Sequence, residues 1–382
     1  MAGKKILLLS VPSGAGHTRA AEAIRSAAAG QGVTAVHLDA TAFASPLRRA
    51  IYTGAYIFLV KRAPALWSCL YRWTNAARPD GGVQTLRRWL ERGDSEPLLR
   101  EIAQLRPDVI VCTHFLPAEI LSHQIGTGKL HCPVWVQVTD FDLHRMWVQP
   151  HMTGYFAANE EVAFRMGDAG IAAQAIHVNG IPIMPAFSRP QDRAVCAREI
   201  GLDPAVTTLL LMGGGAGIGS LDTVARRLLG LPGSFQLIVL AGKNVAALAG
   251  LQGLAARHPG RLSLQGYTDK VERLMACADL VITKPGGSTS AECLAMGLPM
   301  IVNAPIPGQE DHNANFLLEQ GVALKALDLP TLEYRVRYLL AHPARLEEMR
   351  LRARALARPD AAMRVLQTVF DQAGKASCLA LN

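Results

Sequence analysis

One pattern constrains this chain more than any other, and it occurs twice. "KKILLLSVPSGAGHTRAAEAI", residues 4–24, runs an apolar stretch into a glycine-bearing loop and then into a helical repeat. "TTLLLMGGGAGIGSLDTVARRLLG", residues 207–230, does the same. A continuous apolar run of this length reads as a strand covered on both faces, and a helix straight after it makes a crossover to the next parallel strand. The alternation continues between the two units. "TAVHLDA", "PDVIVCTH", "PVWVQVTD" and "AIHVNGIPI" read as strands in the first half, and "EEVAFRMGDAG" as a helix. "FQLIVLAG", "LSLQGY" and "DLVITK" are strands in the second half, separated by the helices "NVAALAGLQGLAARH" and "KVERLMACA". Parallel sheets with helices on both faces follow, in two doubly wound α/β domains.

At 382 residues the chain exceeds one ordinary core and suits two. The boundary falls at "GIPIMPAFSRP", which holds Pro182, Pro185 and Pro190. The expected domains are 1–184 and 185–345, followed by a basic helical segment, 346–382, that either adds to the basic surface or crosses back to the first domain. Seven cysteines lie scattered with no C-x-x-C pair, which argues against a disulfide scaffold or a zinc cluster and suits a reducing compartment. The basic tip before "ILLLSV" leads into an apolar run too short for a secretory leader, and no run reaches the ~18–20 residues of a membrane span.

Net charge is +8 and uneven. Residues 48–92 hold nine Arg or Lys against Asp80 and Glu91. Such a surface attracts nucleic acid, anionic lipid or an anionic ligand. "RRAIYTGAYIFLVKRAPALWSCLYRW", residues 48–73, mixes these cations with aromatics. Tyr56, Phe58, Arg62, Trp67, Tyr71 and Trp73 suit a helix lying in a lipid headgroup layer. A buried helix of an α/β domain would also be apolar. Nucleic-acid binding is not expected, since nothing presents aromatics on a sheet for base stacking.

Three loops carry chemistry. "MGGGAGIG", residues 212–219, lies between a strand and a helix, where backbone N–H groups can face an anion. It is not a P-loop, and it misses the G-x-G-x-x-G of dinucleotide folds. Gly213, Gly214 and Gly215 are the candidate phosphate contacts; a tight turn is the plainer reading. "KPGGSTSAE", residues 284–292, frees the backbone at Gly286 and Gly287 and offers Ser288, Thr289 or Ser290 as a helix cap. Glu292 then either stabilises the helix start or accepts the hydroxyls of a ribose. "PGQEDHN", residues 307–313, is either a solvated loop or a sugar contact through Gln309 and Glu310.

Taken together, "TKPGGSTSAECLAMGLPMIVNAPIPGQEDHNANFL", "PSGAGHTRAAEAI", "VTDFDLHRMW" and "GIPIMPAF" resemble, in order, the glycosyltransferases that include monogalactosyldiacylglycerol synthase and bacterial diacylglycerol glucosyltransferase, and more distantly the MurG group. The resemblance implies a GT-B fold, with two Rossmann-like doubly wound domains facing a cleft, the acceptor in the first and a UDP-sugar in the second. It implies no cofactor and no metal. It assigns Glu292 to the ribose, Gln309 and Glu310 to the sugar, and the 213–215 glycines with Gly286, Gly287 and Ser288 to the diphosphate. Tyr267 and Thr268 would flank uracil.

The resemblance also implies inversion at the anomeric carbon, which needs a base for the acceptor hydroxyl. His17, at the tip of "SGAGH", is the candidate, with Asp140 as rival or orienting partner and His114 as a weaker third. A packing or capping histidine is the plain alternative for His17. Met184 stands in "IPIMP" where the family usually carries Arg, so Lys243, Lys284 or Arg189 would have to balance the diphosphate. The expected protein is a peripheral enzyme on the cytoplasmic face of the inner membrane, using a UDP-hexose, a diacylglycerol acceptor and an anionic membrane surface. A sugar-nucleotide epimerase of the same fold and a non-catalytic lipid- or UDP-sugar-binding regulator are the competing expectations.

Overall fold

The structure, a computed structural model, describes residues 3–12, 14–45, 62–76, 95–213, 221–303 and 305–379. Tyr56, Phe58, Gly214 and Gly215 lie outside the described residues, as do Arg48, Arg49 and Lys61 of the basic segment. Two compact units are present. One comprises Met1–Pro185, Pro307–Gln309 and Pro359–Asn382; the other comprises Ala186–Ile306 and Glu310–Arg358.

The first unit holds a parallel sheet of β1 (Lys5–Ser10), β2 (Thr34–Asp39), β3 (Val109–Cys112), β4 (Val134–Gln137), β5 (Gly154–Ala157) and β6 (Ile176–Val178), in the order β2-β1-β3-β4-β5-β6. The chain winds outward from β1 to β2, then returns to place β3 on the other side of β1. That reversal opens a crevice beyond the carboxyl ends of β1 and β3. One face of the sheet is covered by the helix Ala15–Ala29, whose small Ala20, Ala21, Ala23, Ala27 and Ala28 are buried and permit close packing. The helix Ala361–Leu379 lies beside it, burying Ala362, Val365, Leu366 and Val369 in the same cluster as Ile6, Leu8 and Val111. Met184 packs partly buried against this cluster. Gly154 is demanded by Trp135, whose ring would overlap any Cβ at that position.

The second unit repeats the plan with β7 (Thr208–Met212), β8 (Gln236–Gly242), β9 (Leu262–Gly266), β10 (Leu280–Thr283), β11 (Met300–Asn303) and β12 (Ala323–Ala326). All pairs are parallel and the order is β12-β11-β10-β7-β8-β9. Its reversal lies between β7 and β10. The helix Pro343–Leu356 belongs to this unit, so the unit runs past residue 345 and the chain rejoins the first unit only at Pro359. Met349 and Ala353 are buried, and Arg350 pairs with Asp279 at 3.2 Å. Asp279 also holds Arg193 at 2.8 Å and accepts from the Thr208 N–H at 2.9 Å, tying both ends of the unit to its sheet.

Candidate active site

In the first unit the segments just past β3 and β4 converge on one histidine. His17 is the third residue of the helix Ala15–Ala29 and is 8% exposed. Its Nδ1 lies 2.9 Å from the Thr113 carbonyl oxygen, just past β3, and 2.9 Å from Thr139 Oγ1, just past β4. A carbonyl oxygen can only accept, so Nδ1 carries the ring proton and Nε2 presents its lone pair. Among the described residues none hydrogen-bonds Nε2. Burial lowers the pKa of His17 from 6.5 to about 4, with the Thr113 carbonyl pulling the other way. The ring is therefore a neutral acceptor at neutral pH, as a general base must be.

His114 lies edge-on to His17 with ring centroids 4.6 Å apart. It caps the helix Phe115–Gly126, its Nδ1 accepting from the Leu116 N–H at 3.0 Å. Burial and the nearby His17 hold it well below the ordinary histidine value. The cap accounts for the conformation of His114 without a role in proton transfer. Asp140 is buried, and its Oδ2 accepts from Gln309 Nε2 at 2.7 Å. The Pro307–Gln309 stretch is part of the first unit, so the rival base and a candidate sugar contact meet there. Trp147, with its centroid 6.0 Å from His17, closes another side of the site.

The helix Pro64–Ala76 is what remains described of the aromatic basic segment. Its carboxyl end docks on the "FDLHRMW" loop. His144 accepts from the Met146 N–H through Nδ1, so its Nε2 donates to the Tyr71 carbonyl at 3.1 Å. The Tyr71 and His144 rings are 4.5 Å apart, and Asn75 accepts from the Arg145 N–H at 2.8 Å. Burial, with the charges of Asp140 and Asp142, pushes the Tyr71 phenol up and keeps it protonated. Tyr71 thus faces the loop, whereas Arg62, Leu66, Arg72 and Trp73 remain exposed. Trp67 is intermediate, its ring 6.4 Å from that of Tyr71.

In the second unit Gly213, just past β7, and Gly286, just past β10, flank the reversal between those strands. A Cβ on Gly213 would come within 3.1 Å of the Leu221 side chain, a tight approach. The other loop is different. The helix Gly287–Ala295 starts directly after Gly286 with no side-chain cap. The sequence suggested Ser288, Thr289 or Ser290 as the cap, but the helix begins before them and places all three in its first turns. The helix therefore starts without a side-chain cap at Gly286, and a helix start with its dipole suits an anion. A Cβ on Gly286 would meet nothing within 4 Å, and Ser290 Oγ is buried with no partner. Glu292, buried, sits one turn further along the helix.

Glu310, a candidate sugar contact, already has partners within the chain. Its Oε1 receives Lys284 Nζ at 2.6 Å and its Oε2 accepts from the Ile306 N–H at 2.8 Å. Lys284 is thereby held in place as the cation of an ion pair. Lys243 Nζ stands 4.8 Å from the centroid of the exposed Tyr267 ring, and Thr268 Oγ1 accepts from the Lys270 N–H at 3.0 Å. Sequence reasoning missed Thr113 and Thr139. Both sit beside residues it singled out, and their strand-end positions were the only available signal.

Two parallel six-stranded sheets in this order belong to the GT-B class of folds. A family model described as monogalactosyldiacylglycerol (MGDG) synthase matches residues 17–183, and the glycosyltransferase family 28 C-terminal domain matches residues 208–365. The chain belongs to the glycosyltransferase family of the processive diacylglycerol beta-glucosyltransferases and MGDG synthases. It is 28% identical over 376 residues to the processive diacylglycerol beta-glucosyltransferase of Bacillus pumilus, covering 97% of this chain and 95% of that one. It is 30% identical over 267 residues to the protein of that name from Bacillus licheniformis, covering 70% and 69%. MurG of Acinetobacter baumannii shares the fold with a TM-score of 0.62 at 16% identity, over 96% of this chain and 99% of that one. The UDP-GlcNAc 2-epimerase of Neisseria meningitidis bound to UDP-GlcNAc also shares it, with a TM-score of 0.57 at 13% identity, over 96% and 100%. Fold alone thus spans transferases and epimerases, and sequence kinship separates them.

Proposed function

We propose that this protein transfers a hexose from a UDP-sugar to diacylglycerol, with inversion, at an anionic membrane surface. The observation that carries the reading is His17, a buried neutral imidazole with an unengaged Nε2, in the unit matched by the MGDG synthase family model. In the proposed step the acceptor hydroxyl gives its proton to Nε2 as its oxygen attacks the anomeric carbon. The bond to UDP breaks in the same displacement. The departing diphosphate takes the charge and is met by the first N–H groups of the helix Gly287–Ala295 and by its dipole, which need no rearrangement during reaction. Gln309 is the sugar contact, and Glu310 acts indirectly by holding Lys284. No metal takes part in this scheme.

Glu292→Ala is expected to weaken UDP binding about tenfold, as loss of a charged hydrogen-bond acceptor for the ribose would. Titration calorimetry measures it, and an unchanged Kd would remove Glu292 from the ribose.

Docking to lipid is assigned to the helix Pro64–Ala76, with exposed Leu66, Trp73 and Arg72. Among the described residues no helix is long and apolar enough to cross a membrane. On this reading the protein acts as a peripheral enzyme on the cytoplasmic face of the inner membrane. The test is incubation with diacylglycerol vesicles, with and without anionic lipid, and a panel of UDP-sugars in buffer containing EDTA. Mass spectrometry is expected to find hexosyl-diacylglycerol, more of it with anionic lipid, and less at high salt. An epimerised UDP-sugar with no lipid product, or no UDP release at all, would overturn the reading.

A further inference from the structure

We propose that Thr139 is a positioning residue that holds His17 by the ring nitrogen remote from the substrate; this rests on His17 being the base. Histidine bases are commonly oriented by a carboxylate on the second nitrogen. Among the described residues no carboxylate takes that place. Asp140 accepts from Gln309, and Asp142 pairs with Arg165 at 3.1 Å. Nδ1 meets two neutral oxygens instead, the Thr113 carbonyl and the Thr139 hydroxyl, each at 2.9 Å. Thr139 is 3% exposed, and its hydroxyl is the one side chain among the described residues that touches Nδ1.

The arrangement has two consequences. A flipped ring would set a carbon against both oxygens, so the pair fixes which edge of the imidazole is presented. When Nε2 takes a proton, the ring becomes a cation in a buried place, and the shared Nδ1–H bond strengthens. Two acceptors favour that cation more than one. Thr139 therefore raises the basicity of a base that burial depresses. The titratable group packed against the ring is His114, from the helix Phe115–Gly126; it is neutral at neutral pH and does not supply the missing charge.

The test uses the full chain with Thr139→Val, Thr139→Ser and His17→Ala, assayed on diacylglycerol vesicles with the UDP-sugar the parent turns over. Thr139→Val is expected to lower kcat about tenfold or more, with KM for the UDP-sugar unchanged. Its acid limb is expected to move to lower pH, since the cation has lost an acceptor. Thr139→Ser keeps the hydroxyl and is expected to stay within about threefold of the parent. Thr139→Val at parental kcat, an unmoved limb, or a serine variant as slow as the valine one would each overturn the inference. Should Thr139→Val not fold, nitrogen NMR of histidine-labelled parent decides: a proton on Nδ1 of His17 supports the arrangement, and one on Nε2 overturns it. His17→Ala turning over at the parental rate would overturn the base assignment itself. An inactive His17→Ala beside a fully active Thr139→Val would overturn the positioning role alone.

Discussion

His17→Ala is expected to lower kcat for hexose transfer by about a thousandfold, while the Kd for UDP stays within about twofold of the parent value. The asymmetry follows from where the side chain sits. His17 belongs to the first unit, bonded to Thr113 and Thr139, and the helix start suited to a diphosphate belongs to the second. Removing the imidazole takes away the group that accepts a proton in the transition state and leaves donor contacts untouched. Asp140→Asn serves as the comparison. Asp140 is engaged with Gln309, so its loss is expected to act mainly on KM for the UDP-sugar and to leave the acid limb in place. The acid limb of the parent reports the same base. His17 is depressed to about 4, so rate should stay level as pH falls from 7 through 6 and drop only near 4. The unfolded chain binds that proton near pH 6.5, so the same depression removes stability as pH falls below this value. A kinetic limb near 6.5 would mean a solvated imidazole and would count against the buried base.

The second large effect concerns stability. Lys284→Met is expected to cost about 3–5 kcal/mol, read as a fall in denaturant midpoint. Lys284 and Glu310 side chains are 17% and 9% exposed and pair at 2.6 Å. Removing the lysine leaves the Glu310 carboxylate buried with only the Ile306 N–H among its described partners. Glu310→Gln in the same chain removes the stranded charge and is expected to recover most of the loss. Turnover should not recover with it, because the cation beside the Gly286 turn is still missing. Full stability in the single variant would show that the pair is solvated and carries no structural weight.

The readings that held at the level of elements share a physical origin. The alternation of "ILLLSV", "VIVC" and "LVIT" with helical repeats is local, and both sheets follow it. Near-neighbour chemistry was less reliable wherever a boundary was at stake. The hydroxyls of Ser288, Thr289 and Ser290 suggested a cap, yet Gly286 can start the helix without one. Gly213 read as a ligand contact, and the Leu221 side chain also crowds that position. Glu310 read as a sugar contact, and Lys284, 26 residues away, pairs with it. Met184 read as a lost cation, and in the first unit it lies against an apolar cluster, where a methionine is at home.

The order of residues alone determined two doubly wound units, the loops that end their strands, and a histidine beside the first of them. Periodicity and turn chemistry act between neighbours, so they survive being read along a line. Tertiary structure decided what those loops can do. The proton on Nδ1 of His17 depends on oxygens 96 and 122 residues away, and the Asp140 carboxylate is engaged by an amide 169 residues away. Hydrogen bonds and desolvation act between atoms brought together in space, and no local pattern in a chain records which atoms those will be.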